Sequence, residues 1–330
     1  MTRHRHVVMG FQSSGKTTFA AALWHLVDSR EVPTALTKGS HNGDYRYLEE
    51  IASAWEEGWQ VIHTPFGTWQ PITINLRSDG LDDEVGLSFI DMSGETFEQI
   101  FVRREFDTQI EEMIRGCEGL MLFVTTLRAV DDVSIVDIGI AMPDEMPKEM
   151  PDLAEEGHKG DGAGAHLANV EPDADGNAHD TASSQVSSSP TDLLEPVEFK
   201  PEHTPRQVQI TDLLDSFSEH DIGLSPARVA VIVSAWDKAP EGITPQRWLA
   251  ERMPLLDQYL KSHAHRFDTR IYGVSAQGGH LPKKEEPGQP SDRVALLAEP
   301  VASRRIRVVG HGAGPHDLTH PIAWLSGLDR

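Results

Sequence analysis

The run Gly10-Phe11-Gln12-Ser13-Ser14-Gly15-Lys16-Thr17-Thr18 constrains this chain more than any other stretch. Two glycines let the backbone curl tightly without a β-carbon penalty, so the intervening amides converge on one point at the start of a helix, where the dipole also favours an anion. Lys16 adds a mobile point charge for β- and γ-phosphates, and the Thr17 hydroxyl can fill one Mg2+ position. Such a loop works only between a buried strand and a helix. Both are written beside it: Arg5 to Met9 reads as a short strand, and Thr17 to Val27 as a helix with Phe19, Ala20, Leu23, Trp24 and Val27 recurring on one side. The expected phosphate cradle is therefore Gly10, Ser13, Ser14, Gly15, Lys16, Thr17 and Thr18.

Composition removes several classes of function. Apolar stretches such as Leu120 to Val124 are too short to cross a bilayer, and the first residues run into the first strand without a signal-type apolar region. A single cysteine, Cys117, leaves no internal disulfide, and the 16 histidines show no zinc spacing, so a reducing cytoplasm is the expected location. The net charge of −23 is concentrated: between Asp131 and His203 there are 18 acidic and 3 basic side chains, a local charge of −15. That balance argues against nucleic acid and anionic lipid as partners.

Along the 330 residues, strand and helix patterns alternate. A helix is expected from Tyr45 to Glu57. The strands Ile72 to Leu76 and Val85 to Ile90 flank a turn at Arg77 to Asp83. A helix from Thr96 to about Arg115 leads to the strand Gly119 to Thr125. Periodicity stops from about 136 to 204, where Pro, Gly, Ser and acidic residues dominate as in a disordered insert. It resumes with a helix near Gln207 to Glu219, the strand Arg228 to Ser234, a helix from Pro245 to Ser262, the strand Arg270 to Ser275, a strand at Ile306 to Val309 and a helix near His320 to Leu328. The order predicts an α/β fold of three layers, a mainly parallel sheet with one antiparallel edge strand and helices on both faces. The whole of 1–330 then forms one domain interrupted by the acidic insert.

In such a sheet the ligand lies outside the carboxyl ends of the strands. One strand ends Phe89-Ile90-Asp91-Met92-Ser93-Gly94-Glu95: a carboxylate there can hold Mg2+ through a water, and the Gly94 amide can reach a γ-phosphate. Two others end Ser234-Ala235-Trp236-Asp237-Lys238 and Val274-Ser275-Ala276-Gln277. Asp237 can accept hydrogen bonds from guanine N1 and N2, and the Ala276 amide can donate to O6. Blander roles compete for some of these residues: Asp91 could cap a helix, Asp237 a turn, and Arg103 and Arg104 suit a solvated helix face.

These motifs resemble the translation-factor-related and Ras-like class of P-loop GTPases. Within it, Asp91-Met92-Ser93-Gly94-Glu95, Ser234-Ala235-Trp236-Asp237 and Asp317-Leu318-Thr319-His320-Pro321-Ile322-Ala323-Trp324-Leu325 resemble the bacterial double-GTPase domains associated with conflict and defence operons. The resemblance implies a GTP-dependent switch that uses Mg2+ and hydrolyses GTP to GDP and phosphate. A mobile threonine, Thr64 in preference to Thr68, would bind Mg2+ with Thr17 and Asp91. Lys16, Thr64 and Glu95 would serve catalysis, and Gly94, Asp237, Ser275 and Ala276 would bind nucleotide. Two departures bear on activity. Ser234 and Ala235 stand where the usual base motif has Asn and Lys, leaving Trp236 or Lys238 to cover the base. Glu95 stands where relatives carry the water-orienting glutamine, so slow hydrolysis without an activator is expected. The implied partners are proteins: an activator, an effector or a second GTPase. The alternatives are a nucleotide-loaded scaffold that hardly turns over, and an ATP-using phosphotransferase for which Asp237 would have no purpose.

Overall fold

The computed structural model describes residues 2–40, 45–61, 72–78, 83–89, 100–103, 106, 108–128, 204–219 and 228–329. Their strands form one eight-stranded sheet in the order β2-β3-β4-β1-β5-β6-β7-β8, with β1 at Arg3–Gly10, β2 at Thr37–Lys38, β3 at Ile72–Arg77, β4 at Glu84–Phe89, β5 at Gly119–Thr125, β6 at Arg228–Ser234, β7 at Asp268–Ser275 and β8 at Arg307–Val309. The five strands from β4 to β7 in that order are parallel. Antiparallel pairing closes the sheet at both ends, through β2, β3 and β4 on one side and β7 with β8 on the other. One antiparallel edge strand is expected from the sequence; the structure adds the two-residue β2 beyond β3 and pairs the expected last strand, β8, antiparallel to β7, where Val308 N–H donating to Pro315 O at 2.8 Å fastens it.

The central strands read as unbroken apolar runs because each serves two cores. On β1, Val8 faces one core while Val7 and Met9 face the other; on β5, Met121 and Phe123 alternate with Leu120, Leu122 and Val124 in the same way. The first core takes α1 (Lys16–Ser29), α2 (Arg46–Glu56) and α8 (His320–Leu325). The second takes α3 (Thr108–Ile114), α4 (Arg206–Glu219), α5 (Pro245–Arg252) and α6 (Pro254–Ser262). The remaining helix, α7, spans Arg293–Leu297. Helix α1 is buried nearly all round from Phe19 to Val27, as befits a helix covered by both sheet and neighbours. Helix α2 is amphipathic, burying Leu48, Ile51, Ala52 and Trp55, the i, i+3, i+4, i+7 set of one face.

Two expected helices are interrupted. The helix expected from Pro245 to Ser262 breaks at Met253, whose φ of −135° and ψ of 60° are not helical. Pro254 is the cause: it has no N–H to give and its ring forces the preceding residue out of the α region. The helix expected from Thr96 to Arg115 is helical at 100–103 and at Thr108–Ile114 but not at Phe106, whose ring stacks on Phe217 of α4 at 5.5 Å. Packing that ring outweighs continuing the helix. The turn at 79–82 and the acidic stretch at 136–203 lie outside the described residues.

The edge of the sheet away from the strand carboxyl ends carries a buried histidine. His6 is fully buried on β1, with Nε2 2.7 Å from Ser326 Oγ, which itself donates to Ile322 O at 3.0 Å. With its own proton committed to Ile322, the hydroxyl accepts from Nε2, so the ring carries its proton there. Burial, helped by the nearby His4 and Arg228, lowers this imidazole to about 3.

Candidate functional site

The carboxyl end of β1 turns sharply at Gly10, where a β-carbon would lie 2.7 Å from Phe123 O and 2.9 Å from Ser14 Oγ. No other residue fits. The loop then passes through left-handed conformations at Ser13 (φ 62°) and Gly15 (φ 92°), with Ser14 N–H donating to Phe11 O at 3.2 Å. Gly15 is also the N-cap of α1, and no side chain caps that helix or places a carboxylate in its first turn. Uncapped amides and the positive helix end thus face the loop interior, with no carboxylate in the helix's first turn to meet them.

Lys16 completes the cradle. Its side chain is buried, and Nζ donates to Gly10 O at 2.7 Å and to Phe11 O at 3.0 Å. The loop's own carbonyls hold the ammonium over its mouth. Thr17 and Thr18 follow in the first turn of α1, both half-buried, and Ser13 is exposed.

The second part of the site comes from β6 and β7. Ser234 ends β6 directly against the loop, 3.2 Å from where a β-carbon on Gly15 would sit. The chain then passes through a left-handed Ala235 (φ 52°), whose carbonyl accepts from Thr126 Oγ1 at 2.7 Å, and a single 3-10 turn presents Asp237. Asp237 is oriented by the Ser275 hydroxyl, which donates to Oδ1 at 2.5 Å and accepts from Gly278 N–H at 3.1 Å. Lys238 Nζ lies 3.4 Å from Asp237 Oδ2 and 3.9 Å from Asp292. Ala276 is held from outside the sheet: Trp55 of α2 donates from Nε1 to its carbonyl at 2.9 Å. Trp55 is itself fully buried, packed on His25 and beneath the Arg305 guanidinium.

Of the two residues expected to replace the missing lysine stem over a base, Trp236 is spent elsewhere. Its ring presses on β7 where a β-carbon on Gly273 would come within 2.4 Å, and it packs against the second core. Lys238 is the one that faces Asp237.

The structure therefore brings together Gly10, Ser13, Ser14, Gly15, Lys16, Thr17 and Thr18 with Asp237, Ser275 and Ala276 at one end of the parallel strands. Thr64, Asp91, Gly94 and Glu95 lie outside the described residues, as does Thr68. What is described is their approach: Phe89, the last residue of β4, pairs with Val8, two residues before Gly10. Sequence reasoning missed Trp55 and Thr126 as supports of the site. Neither had a local signal, since their partners Ala276 and Ala235 lie far along the chain.

Among the described residues no group of three His, Cys, Asp or Glu side chains could hold a metal alone. Thr17 is the one expected Mg2+ ligand that is described. A hydroxyl beside a lysine and uncapped amides fits Mg2+ shared with phosphate oxygens, the manner in which this ion is usually held, rather than a protein cage. Among the described residues no helix is long and apolar enough to cross a membrane.

No curated protein sequence matches the chain. Similar solved structures include a Trypanosoma brucei Arl6 BBS3 small GTPase with a bound nucleotide analogue, 10% identical over 84% of this chain and 88% of that one, with a TM-score of 0.32. A bacterial selenocysteine-specific elongation factor is 10% identical over 84% of this chain and 26% of that one, with a TM-score of 0.33. The S. cerevisiae Ski7 GTPase-like domain bound to GTP is 9% identical over 84% of this chain and 43% of that one, with a TM-score of 0.37. The family profile described as Double-GTPase 1 runs from residue 7 to residue 325, from the strand that feeds the phosphate loop to the last helix. The chain belongs to the Double-GTPase 1 family.

Proposed function

We propose that the protein is a guanine-nucleotide switch that binds GTP and hydrolyses it to GDP and phosphate. The observation that carries this reading is the single cradle in which Lys16, buried against Gly10 and Phe11, shares an edge of the sheet with an Asp237 pre-oriented by Ser275. The loop amides and Lys16 bind the phosphates and stabilise charge on the transferring phosphoryl. Asp237 accepts from guanine N1 and N2, and the Ala276 amide donates to O6. Thr17, with Thr64 and Asp91, would hold Mg2+, which would supply charge neutralisation for the phosphates. Gly94 senses the γ-phosphate, and Glu95 positions the water.

A carboxylate at position 95 is repelled by a γ-phosphate, so turnover is slow until an activating protein supplies an offsetting charge. The segments around Thr64 and from Asp91 to Glu95 carry the state of the nucleotide to an effector or a second GTPase. The resemblance of the strand-end motifs to double-GTPase domains supports a place in a bacterial conflict or defence system. The protein is cytoplasmic on this reading.

Phosphate release from GTP tests it. Wild type is expected to release phosphate slowly in the presence of Mg2+, and Lys16→Ala is expected to bind no nucleotide. Normal GTP affinity in Lys16→Ala would refute the assignment. A flat phosphate trace in wild type under every condition, candidate activators included, would leave a nucleotide-loaded scaffold.

A further inference from the structure

Asp292 begins a helix that its side chain does not cap. An aspartate in this position ordinarily accepts from an amide in the first turn of its own helix. Helix α7, five residues long, receives no such bond from Asp292. The carboxylate turns instead to His280, whose N–H donates to Oδ2 at 2.7 Å, and Asp292 N–H donates back to His280 O at 2.8 Å. The approach is close: a β-carbon on Gly279 would come 2.7 Å from the same Oδ2. The helix start is itself anchored, since Arg293 donates from Nη2 to Glu57 O at 3.0 Å and its guanidinium lies over the Trp59 ring at 4.0 Å.

What Asp292 holds is the loop that follows β7. Trp55 fastens that loop at Ala276 O, Gly278 N–H donates to Ser275 Oγ at 3.1 Å, and Gln277 Nε2 donates to Gly279 O at 2.7 Å. Asp292 fixes its far end at His280. The same carboxylate lies 3.9 Å from Lys238 Nζ, which is 3.4 Å from Asp237 Oδ2. One ammonium therefore stands between Asp292 and the carboxylate at the end of β6. Lys238 and Asp292 are both about half exposed, so their ion pair is the weaker of the two contacts. The bond from a backbone amide to a charged oxygen is the stronger. Diverting the carboxylate leaves α7 without its cap and gives the loop a fixed geometry.

We propose that Asp292 is a positioning residue for guanine selectivity, a role that rests on the guanine-nucleotide reading above. By accepting from His280 N–H it aims the Ala276 amide at O6, and by drawing on Lys238 it leaves Asp237 available to N1 and N2. Adenine carries an amine where guanine has O6, so a well-aimed Ala276 amide meets a donor and rejects it.

The test is displacement of a fluorescent GDP from the full chain by GDP and by ADP. Wild type should prefer GDP. Asp292→Ala should weaken GDP about tenfold and change ADP less than about twofold, because the lost contact acts only through O6 and the Asp237 edge. Asp292→Asn keeps an acceptor for His280 and should bind GDP within about threefold of wild type, the remainder being the lost charge beside Lys238. Asp292 is 52% exposed, so neither substitution opens the core, and thermal unfolding checks that both variants are folded. Equal weakening of GDP and ADP by Asp292→Ala, unchanged GDP affinity in it, or an Asp292→Asn variant as weak as Asp292→Ala would overturn the proposal while leaving the guanine reading in place. A wild type that prefers ADP would overturn both.

Discussion

The Ser275 hydroxyl donates to Oδ1 of Asp237 at 2.5 Å, joining the ends of two neighbouring parallel strands through side chains 38 residues apart. Ser275 is buried, and its oxygen also accepts from Gly278 N–H, so the carboxylate is aimed before any ligand arrives. Asp237→Asn exchanges an acceptor for a donor at the base edge. Its affinity for GTP should fall about 100-fold while its affinity for XTP, whose base offers an oxygen where guanine has an amine, rises. Ser275→Ala should cost about 1 kcal/mol of GTP affinity through lost orientation. Calorimetric titration of the two variants with GTP and XTP measures both.

Trp55 ties the helix ahead of the Thr64 segment to the loop that carries Ala276. Trp55→Phe keeps a ring beside His25 and Arg305 but loses the donor to Ala276 O. It should speed the release of a fluorescent GDP several-fold and cost about 1 kcal/mol of stability. Trp55→Ala, which empties a fully buried position, should cost about 3–5 kcal/mol. Stopped-flow release and denaturant unfolding separate the two effects.

Gly10→Ala places a methyl 2.7 Å from the Phe123 carbonyl, which is part of a central strand and cannot give way. The variant should lose about 2 kcal/mol or more of stability and most of its nucleotide affinity. Gly242→Ala also sits at positive φ (76°) but meets nothing within 4 Å, so it should leave nucleotide affinity unchanged. Thermal unfolding with and without GDP compares them.

His6 makes stability depend on pH. Its imidazole is lowered in the folded protein to about 3 from an ordinary 6.5, so between those values the unfolded chain binds the extra proton. Stability from this group is complete above the ordinary value and is lost as pH falls toward the folded one, at up to about 1.4 kcal/mol per pH unit. His6→Gln can still donate to Ser326 and cannot titrate. The difference in unfolding free energy between wild type and His6→Gln, measured from pH 7 down to pH 4, should therefore shrink as the pH falls.

Much of the phosphate cradle was legible because its chemistry is local. Glycine spacing, a lysine and a flanking strand and helix suffice to write it, and Gly10, Gly15 and Lys16 stand where that logic requires. The strands were legible for the same reason, since serving two cores leaves an apolar run. Contacts across the sheet were not legible. Nothing near Trp55 points to Ala276, 221 residues away, and nothing in Ser234 announces that it abuts Gly15. The broken helices divide in the same way. Pro254 could have been read as a break from its ring alone, whereas the interruption at Phe106 depends on Phe217, far along the chain. Trp236 looked available to cover a base until Gly273 gave its ring a place to pack.

The nucleotide that the protein retains through purification tests the central claim most directly. Mass spectrometry of the denatured supernatant should find GDP or GTP near one equivalent per chain in wild type and none in Lys16→Ala. An adenine nucleotide in that position, or a guanine nucleotide retained equally by Lys16→Ala, would contradict the account.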